Sequence, residues 1–164
     1  MKRFRLIITF GATFLALGAP TWAQLNRTYF YGEDSFARPI KLSGAILAGL
    51  RRDTDFSGCY EYSKDRTEVT EIDPNNDRKA EILVKVGCGN SSTSYLFWLL
   101  KKDGSFYSPI FSVGTITIDF MRRRREGFKD ILAVGCNANT CFHKLFAFNG
   151  RRYVRLRQWT SPNN

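Results

Sequence analysis

From Gly58 to the C-terminus, apolar residues recur at every second position in short runs separated by glycine, asparagine and aspartate. That period, with valine, isoleucine and aromatic enrichment, predicts β-strands. The predicted strands are Arg66–Ile72, Ala80–Val86, Tyr95–Leu100, Phe106-Tyr107, Thr115–Phe120, Phe128–Val134, Phe142–Phe148 and Tyr153-Val154. Asp103-Gly104 and Asn149-Gly150 stand between apolar runs as two-residue hairpin turns, which need positive φ. Upstream the period is helical. Leu42, Ile46, Leu47 and Leu50 share one face, Ser43 is a candidate N-cap, and Arg51 and Arg52 suit the negative end of the helix dipole.

The strands fall into two similar copies. Glu81-Ile-Leu-Val leads to Gly87-Cys88, an aromatic strand and Asp103-Gly104; Asp130-Ile-Leu-Ala leads to Gly135-Cys136, an aromatic strand and Asn149-Gly150. The expected fold is mainly β with a minor α component: two similar antiparallel β-meander units, residues 66–112 and 115–157, with one short N-terminal amphipathic helix. They form one β-rich domain over residues 39–164, preceded by an arm at 24–38.

The first residues carry a different signal. Lys2, Arg3 and Arg5 precede an apolar run from Leu6 to Leu17, and Thr21-Trp22-Ala23 follows with small residues flanking tryptophan. This is the pattern of a cleaved secretory signal over residues 1–23. The apolar run is too short to span a bilayer, which takes roughly 20 residues. The expected location is periplasmic or extracellular. Three of the chain's 25 lysines and arginines lie in that leader, so the remainder carries 22 against 15 acidic residues, a formal charge of +7. Four cysteines, Cys59, Cys88, Cys136 and Cys141, favour two disulfides in an exported chain. Three pairings are open. The four-residue turn Asn137–Thr140 favours Cys136 with Cys141, which leaves Cys59 for Cys88. Zinc is the sharper alternative, but there is no Cys-x-x-Cys pair and His143 is the only histidine.

The motif with chemistry in it is Asp73-Pro-Asn-Asn-Asp-Arg-Lys-Ala-Glu81. Oxygen-bearing side chains at Asp73, Asn75, Asp77 and Glu81, with the Lys79 carbonyl, fall on the alternate positions from which a tight loop can ligate calcium. The loop runs straight into a strand. In this it resembles the Asp-x-Asp-Gly-Asp-Gly-x-x-Asp/Glu loop of FG-GAP/VCBS repeats. The stretch from Pro39 to Arg157 resembles small exported bacterial proteins of that kind, with Phe148-Asn-Gly-Arg-Arg-Tyr153 as the terminal hairpin. The resemblance implies Ca²⁺ as the one candidate cofactor and leaves the function largely open. Both loop glycines are replaced, by Asn76 and Arg78, and the second copy, Asp119 to Asp130, has lost the oxygen ladder. A weak or vestigial calcium loop, or a turn held by its own side chains, is the expectation.

Catalytic constellations are sparse. A two-histidine ribonuclease mechanism is excluded, and nothing in the spacing joins His143 to Glu126 and the arginines. Carboxylate pairs for a hydrolase acting on a polymer could come from Glu68, Glu71, Asp73 and Glu81, but β-proteins display such pairs freely. No Gly-x-Ser-x-Gly elbow or phosphate-binding glycine loop occurs. Positive charge is clustered at Arg122–Arg125 and near the C-terminus. Taking the last strand as regular places Tyr153, Arg155 and Arg157 on a solvent face with Arg151 nearby, opposite a Val154/Leu156 core face. That stripe is the candidate seat for an anionic surface polymer or an acidic secreted protein. Nucleic acid is the less natural partner for an exported chain. The loops Asn90–Ser94 and Asn137–Thr140 are the alternative contact points. The expected function is therefore a non-enzymatic binding or structural module.

Overall fold

The structure is a computed structural model that describes residues 28–32, 34–60, 66–88 and 95–163. The leader 1–23, residues 24–27 of the arm and the Asn90–Ser94 loop lie outside the described residues. The elements are β1 (Thr28–Tyr31), α1 (Gly44–Leu50), α2 (Thr54–Tyr60), β2 (Thr67–Ile72), β3 (Glu81–Gly87), β4 (Tyr95–Asp103), β5 (Phe106–Thr115), β6 (Thr117–Arg125), β7 (Phe128–Cys136), β8 (Thr140–Phe148) and β9 (Tyr153–Pro162). Sheet B has the order β2-β3-β4-β5, and sheet A the order β1-β6-β7-β8-β9. All ladders are antiparallel. The two meanders read from the repeat are thus sheet B and the last four strands of sheet A.

Turn chemistry sets the hairpins. β4 and β5 join through Gly104 (φ 59°) and Ser105, and β6 and β7 through Glu126 and Gly127 (φ 47° and 82°). Between β8 and β9, pairing stops at Phe148 opposite Tyr153, so the loop has four residues, not the two expected of Asn149-Gly150. Asn149 explains the difference: its Oδ1 accepts the amides of Arg151 and Arg152, at 3.0 and 2.9 Å. Asn137 does the same for Asn139 and Thr140 between β7 and β8, at 3.0 and 2.8 Å. An asparagine side chain of this kind replaces a backbone turn bond.

The sheets pack face to face over Leu83, Phe97, Leu99, Phe111, Ile118, Ile131, Phe148 and Tyr153. The opposite face of sheet B is covered by the helices, with Ile46, Leu50 and Phe56 on Val84, Trp98 and Leu100. β3 and most of β4 are therefore covered on both faces, as their near-continuous apolar runs require. α1 begins where Ser43 Oγ accepts the Ile46 amide at 3.3 Å, as expected of a capping serine.

Two features go beyond the sequence reading. A second helix, α2, lies where the sequence pattern predicts one helix followed by strands. Its sequence is poor in helix formers and contains Gly58, so tertiary anchors hold it: Phe56 is fully buried against Trp98, and Cys59 is tied to Cys88 on the end of β3. The arm is also part of the domain. β1 pairs with β6, and Phe36 is buried in the core. The buried ammonium of Lys85 bonds the Asp34 carbonyl, pairs with Glu68 at 3.3 Å and sits 5.0 Å from the Phe36 ring. The Phe36 amide donates to Glu68 at 2.7 Å. The disulfides are Cys59–Cys88 and Cys136–Cys141, as the spacing suggests. No helix among the described residues is long and apolar enough to cross a membrane.

Candidate functional site

Two regions matter, the acidic loop and a groove. In the loop, Asn76 and Arg78 have φ of 59° and 67°. Both residues hold left-handed backbone without glycine's freedom. Asp73 accepts the amides of Asp77 and Arg78 at 3.2 and 3.1 Å, Asn75 accepts the Asp77 amide at 3.2 Å, and Asp77 accepts the Lys79 amide at 2.7 Å. The β6–β7 hairpin closes over it: the Lys129 amide donates to the Pro74 carbonyl at 3.1 Å and Arg124 Nη1 to the Asn75 carbonyl at 3.0 Å.

Glu81, at the start of β3, is buried, and its Oε2 has no hydrogen-bond partner. Burial, then the carboxylates of Asp77 and Asp73, push its pKa up to about 7. Calcium needs six to eight oxygens converging at about 2.3–2.6 Å. Among the described residues no three His, Cys, Asp or Glu side chains converge closely enough to hold a metal. Arg124 adds a cation at the rim, and the aspartates are turned onto the loop's own amides. The donor set does not converge as calcium needs: Asp73, Asn75 and Asp77 accept the loop's own amides, Glu81 Oε2 is left without a partner, and the loop docks on the neighbouring hairpin.

Glu81 has a consequence for stability. An acid whose pKa rises on folding stabilises the native state fully below its unfolded pKa, and loses that contribution as pH rises through the folded value. Stability should therefore fall from about pH 5 to pH 7, and Glu81→Gln should flatten that fall and stand above the parent at about pH 8. Melting temperatures across that range check this, and millimolar calcium should leave both curves unmoved. A calcium-dependent rise, lost in Asp73→Ala, would instead establish a metal site.

Asp130 holds the matching place in the second unit. It is buried, 3.8 and 3.6 Å from the Nε atoms of Arg123 and Arg125. Burial raises its pKa, against the pull of Arg125 and Arg123. Its repeat equivalence to Glu81 thus extends to burial.

The basic stripe is dispersed. Tyr153 is buried, and its hydroxyl donates to the Lys129 carbonyl at 2.8 Å. Burial holds that phenol well above its usual pKa. The expected facing of β9 is inverted at Tyr153, which looks toward sheet B. A register shift between Leu145 and Phe146 leaves Leu156 as an extra residue, with Arg155 opposite Phe146 and Arg157 opposite Leu145. Arg155 consequently shares the inner face, while Arg157 stands on the outer face over the Trp159 ring at 5.2 Å. Arg151 is in the exposed β8–β9 loop. His143 is also on the outer face, stacked on Trp159 at 5.0 Å with Nε2 2.9 Å from Ser161 Oγ.

The inner face of β8 and β9 is where a site forms. Register puts Phe142, Lys144 and Phe146 beside Thr160, Gln158 and Arg155. Phe146 packs on Phe111 of β5, the last strand of sheet B, at 5.1 Å. Between residues 112–116 and this face lie two adjoining cavities of about 610 and 410 Å³, which share Leu96, Gly114 and Lys144. The larger reaches Cys88, Cys136 and Asn137 beside the disulfides; the smaller reaches Asp55, Trp98 and Arg155. Phe142 is 41 % exposed at the mouth. Lys144 makes no ion pair among the described residues, and Arg155 bonds only neutral Gln158, at 3.0 Å. The smaller cavity thus gathers two cations and one carboxylate, Asp55, against an apolar wall, and the larger adds the amide groups of Asn137 and Gln158. Of the stripe only Arg155 belongs to it. Sequence reasoning misses Lys144, Gln158 and Asp55, and the only signal for Lys144 is its alternation with His143.

Compared with known proteins, the chain matches no family model, no curated protein and no solved structure.

Proposed function

We propose that this chain is an exported binding module, without catalysis of its own, that takes an anionic ligand in the groove between β5 and the β8–β9 hairpin. The observation that carries this reading is the convergence of Lys144 and Arg155, neither of them ion-paired among the described residues, on the smaller cavity, which Leu96 and Phe146 also line. A cation aimed into a concave, partly apolar wall meets less competing water than one on a flat surface, so its attraction for an anion is stronger. The net positive charge draws such a ligand in. Two disulfides are compatible with export, and they brace the structure at the groove's end, where Cys88 and Cys136 line it. The groove lining carries one carboxylate, Asp55, and no histidine among the described residues, which favours holding over hydrolysis. The acidic loop serves as a vestigial turn that docks the two units.

The reading is tested with a short fluorescent oligo-glutamate as the probe. Lys144→Ala/Arg155→Ala should weaken its binding by about tenfold or more, near 1.4 kcal/mol per decade. Arg151→Ala/Arg152→Ala, outside the groove, should change it little at physiological salt, where screening acts over about 8 Å. Equal losses in the two variants would sink the groove as the site.

A further inference from the structure

The groove runs along an edge strand. Among the described residues β5 has a neighbour, β4, on one side only. Its first half is shielded by α1, which packs so closely that a Cβ at Gly49 would lie 2.5 Å from the Tyr107 carbonyl oxygen. Among the described residues nothing pairs with its second half: Ser112 and Gly114 are exposed, and Ser112–Ile116 form the groove's wall. On its inner side β5 packs on sheet A, with Phe111 against Phe146 of β8 and Tyr153 of β9 at 5.1 and 5.4 Å, and past Phe111 residues 112–114 line the smaller cavity together with Lys144 and Arg155. A peptide lying along residues 112–115 would take the edge hydrogen bonds of β5 and enter that cavity. It would supply the strand that sheet B lacks.

We infer that the groove's ligand is an extended acidic polypeptide segment, added to β5 alongside Ser112–Thr115 as a fifth strand of sheet B. This rests on the groove reading above and names its ligand class. Main-chain bonds to a sheet edge supply affinity without regard to sequence, and alternate side chains supply selectivity. The residues of the added strand that point at sheet A would meet Lys144 and Arg155, so acidic side chains are selected at those alternate positions. The intervening residues would meet the side of the groove lined by Leu96. The same two cations disfavour a second copy of this basic chain at the edge, which is how natural sheets keep a bare edge from pairing with itself. Ile116 marks the end of the open stretch, since its carbonyl already accepts the Gly32 amide at 2.8 Å.

The test uses the disulfide-bonded protein and a capped peptide of alternating glutamate and valine. N-methylation of every second amide is placed in either of the two possible phases. A strand on β5 presents only one set of its amides to the edge. One N-methylated phase should therefore lose binding by about tenfold or more, and the other should keep it. Amide exchange at residues 112–115 should slow on binding. Equal retention or equal loss in the two phases would overturn the strand assignment. So would residues 112–115 already protected before peptide is added, because the chain itself would then fill the edge. Groove-dependent binding of a heparin oligosaccharide with no binding of the peptide would keep the groove and remove the strand. Phase-dependent peptide binding that ignores Lys144→Ala/Arg155→Ala would do the reverse.

Discussion

Trp98→Ala should cost about 3–5 kcal/mol and lower the melting temperature by on the order of 10–15 °C, a heavy loss for one side chain. Trp98 is fully buried at the centre of β4, on the face of sheet B that carries the helices. Its ring meets Phe56 edge-on at 5.2 Å, and its Nε1 donates to Asp53 Oδ2 at 3.0 Å. Asp53 in turn accepts the Asp55 amide at 3.0 Å at the start of α2. One deletion thus opens a large cavity, strips the partner from the capping aspartate and loosens α2. Trp98→Phe keeps a ring against Phe56 but leaves Asp53 without its donor, so it should cost less. Calorimetric unfolding of the two variants separates the packing contribution from that of the hydrogen bond. A loss below about 1 kcal/mol for the alanine variant would contradict this role in the helical layer, since so small a value is typical of surface changes.

Removing the Cys59–Cys88 bridge should come next. It closes a loop with a sequence separation of 29, against 5 for Cys136–Cys141. In the loop-entropy treatment the first is worth about 3.6 kcal/mol and the second about 2.2 kcal/mol. Cys59→Ser/Cys88→Ser should therefore unfold at lower denaturant than Cys136→Ser/Cys141→Ser, by roughly 1.4 kcal/mol of stability. The larger bridge also ties α2 to the end of β3, and α2 has little propensity of its own. Combined with Trp98→Ala, its removal should cost less than the sum of the two, because both changes release the same helix. Equal stabilities of the two cysteine variants would show that the long loop is already constrained in the unfolded chain.

The two-unit architecture was legible because its signals are local. Strand period, the paired Gly-Cys positions and the Asp103-Gly104 turn each depend on a few adjacent residues, and together they place the strands of both meanders. The features that were not legible are those set by distant partners. α2 owes its existence to Trp98 and to Cys88, and no periodicity in Thr54–Tyr60 announces it. Lys85 is the one charge inside the near-continuous apolar run of β3, and it is buried because Glu68 and the Asp34 carbonyl complete its bonds. One extra residue, Leu156, changes which arginines of β9 share a face, and a bulge of this kind leaves no composition signature.

The candidate site shows the same division. The oxygen ladder of Asp73–Glu81 was visible as a spacing, and the backbone does turn at Asn76 and Arg78 as the spacing implied. Whether the oxygens converge depends on the β6–β7 hairpin packed over them, which brings Arg124 to the rim. The groove forms where the second half of β5 faces the β8–β9 hairpin, an arrangement that local spacing does not carry. Arg155 stands out in the sequence for its charge, but Lys144 enters the site beside Gln158, and Arg155 beside Phe146, through the register of β8 with β9. The physical content of the site is therefore a strand edge facing a hairpin, which sequence spacing does not encode.

The most direct test of the groove as the binding surface is a titration of isotope-labelled protein with oligo-glutamate, followed by amide chemical shifts. The groove reading predicts saturable changes at residues 112–116, Lys144 and Gln158, weakened by salt, with the exposed arginines 122–124 of β6 nearly silent. Changes centred on Arg122–Arg125 or on the Arg151-Arg152 loop, with the groove unmoved, would contradict it.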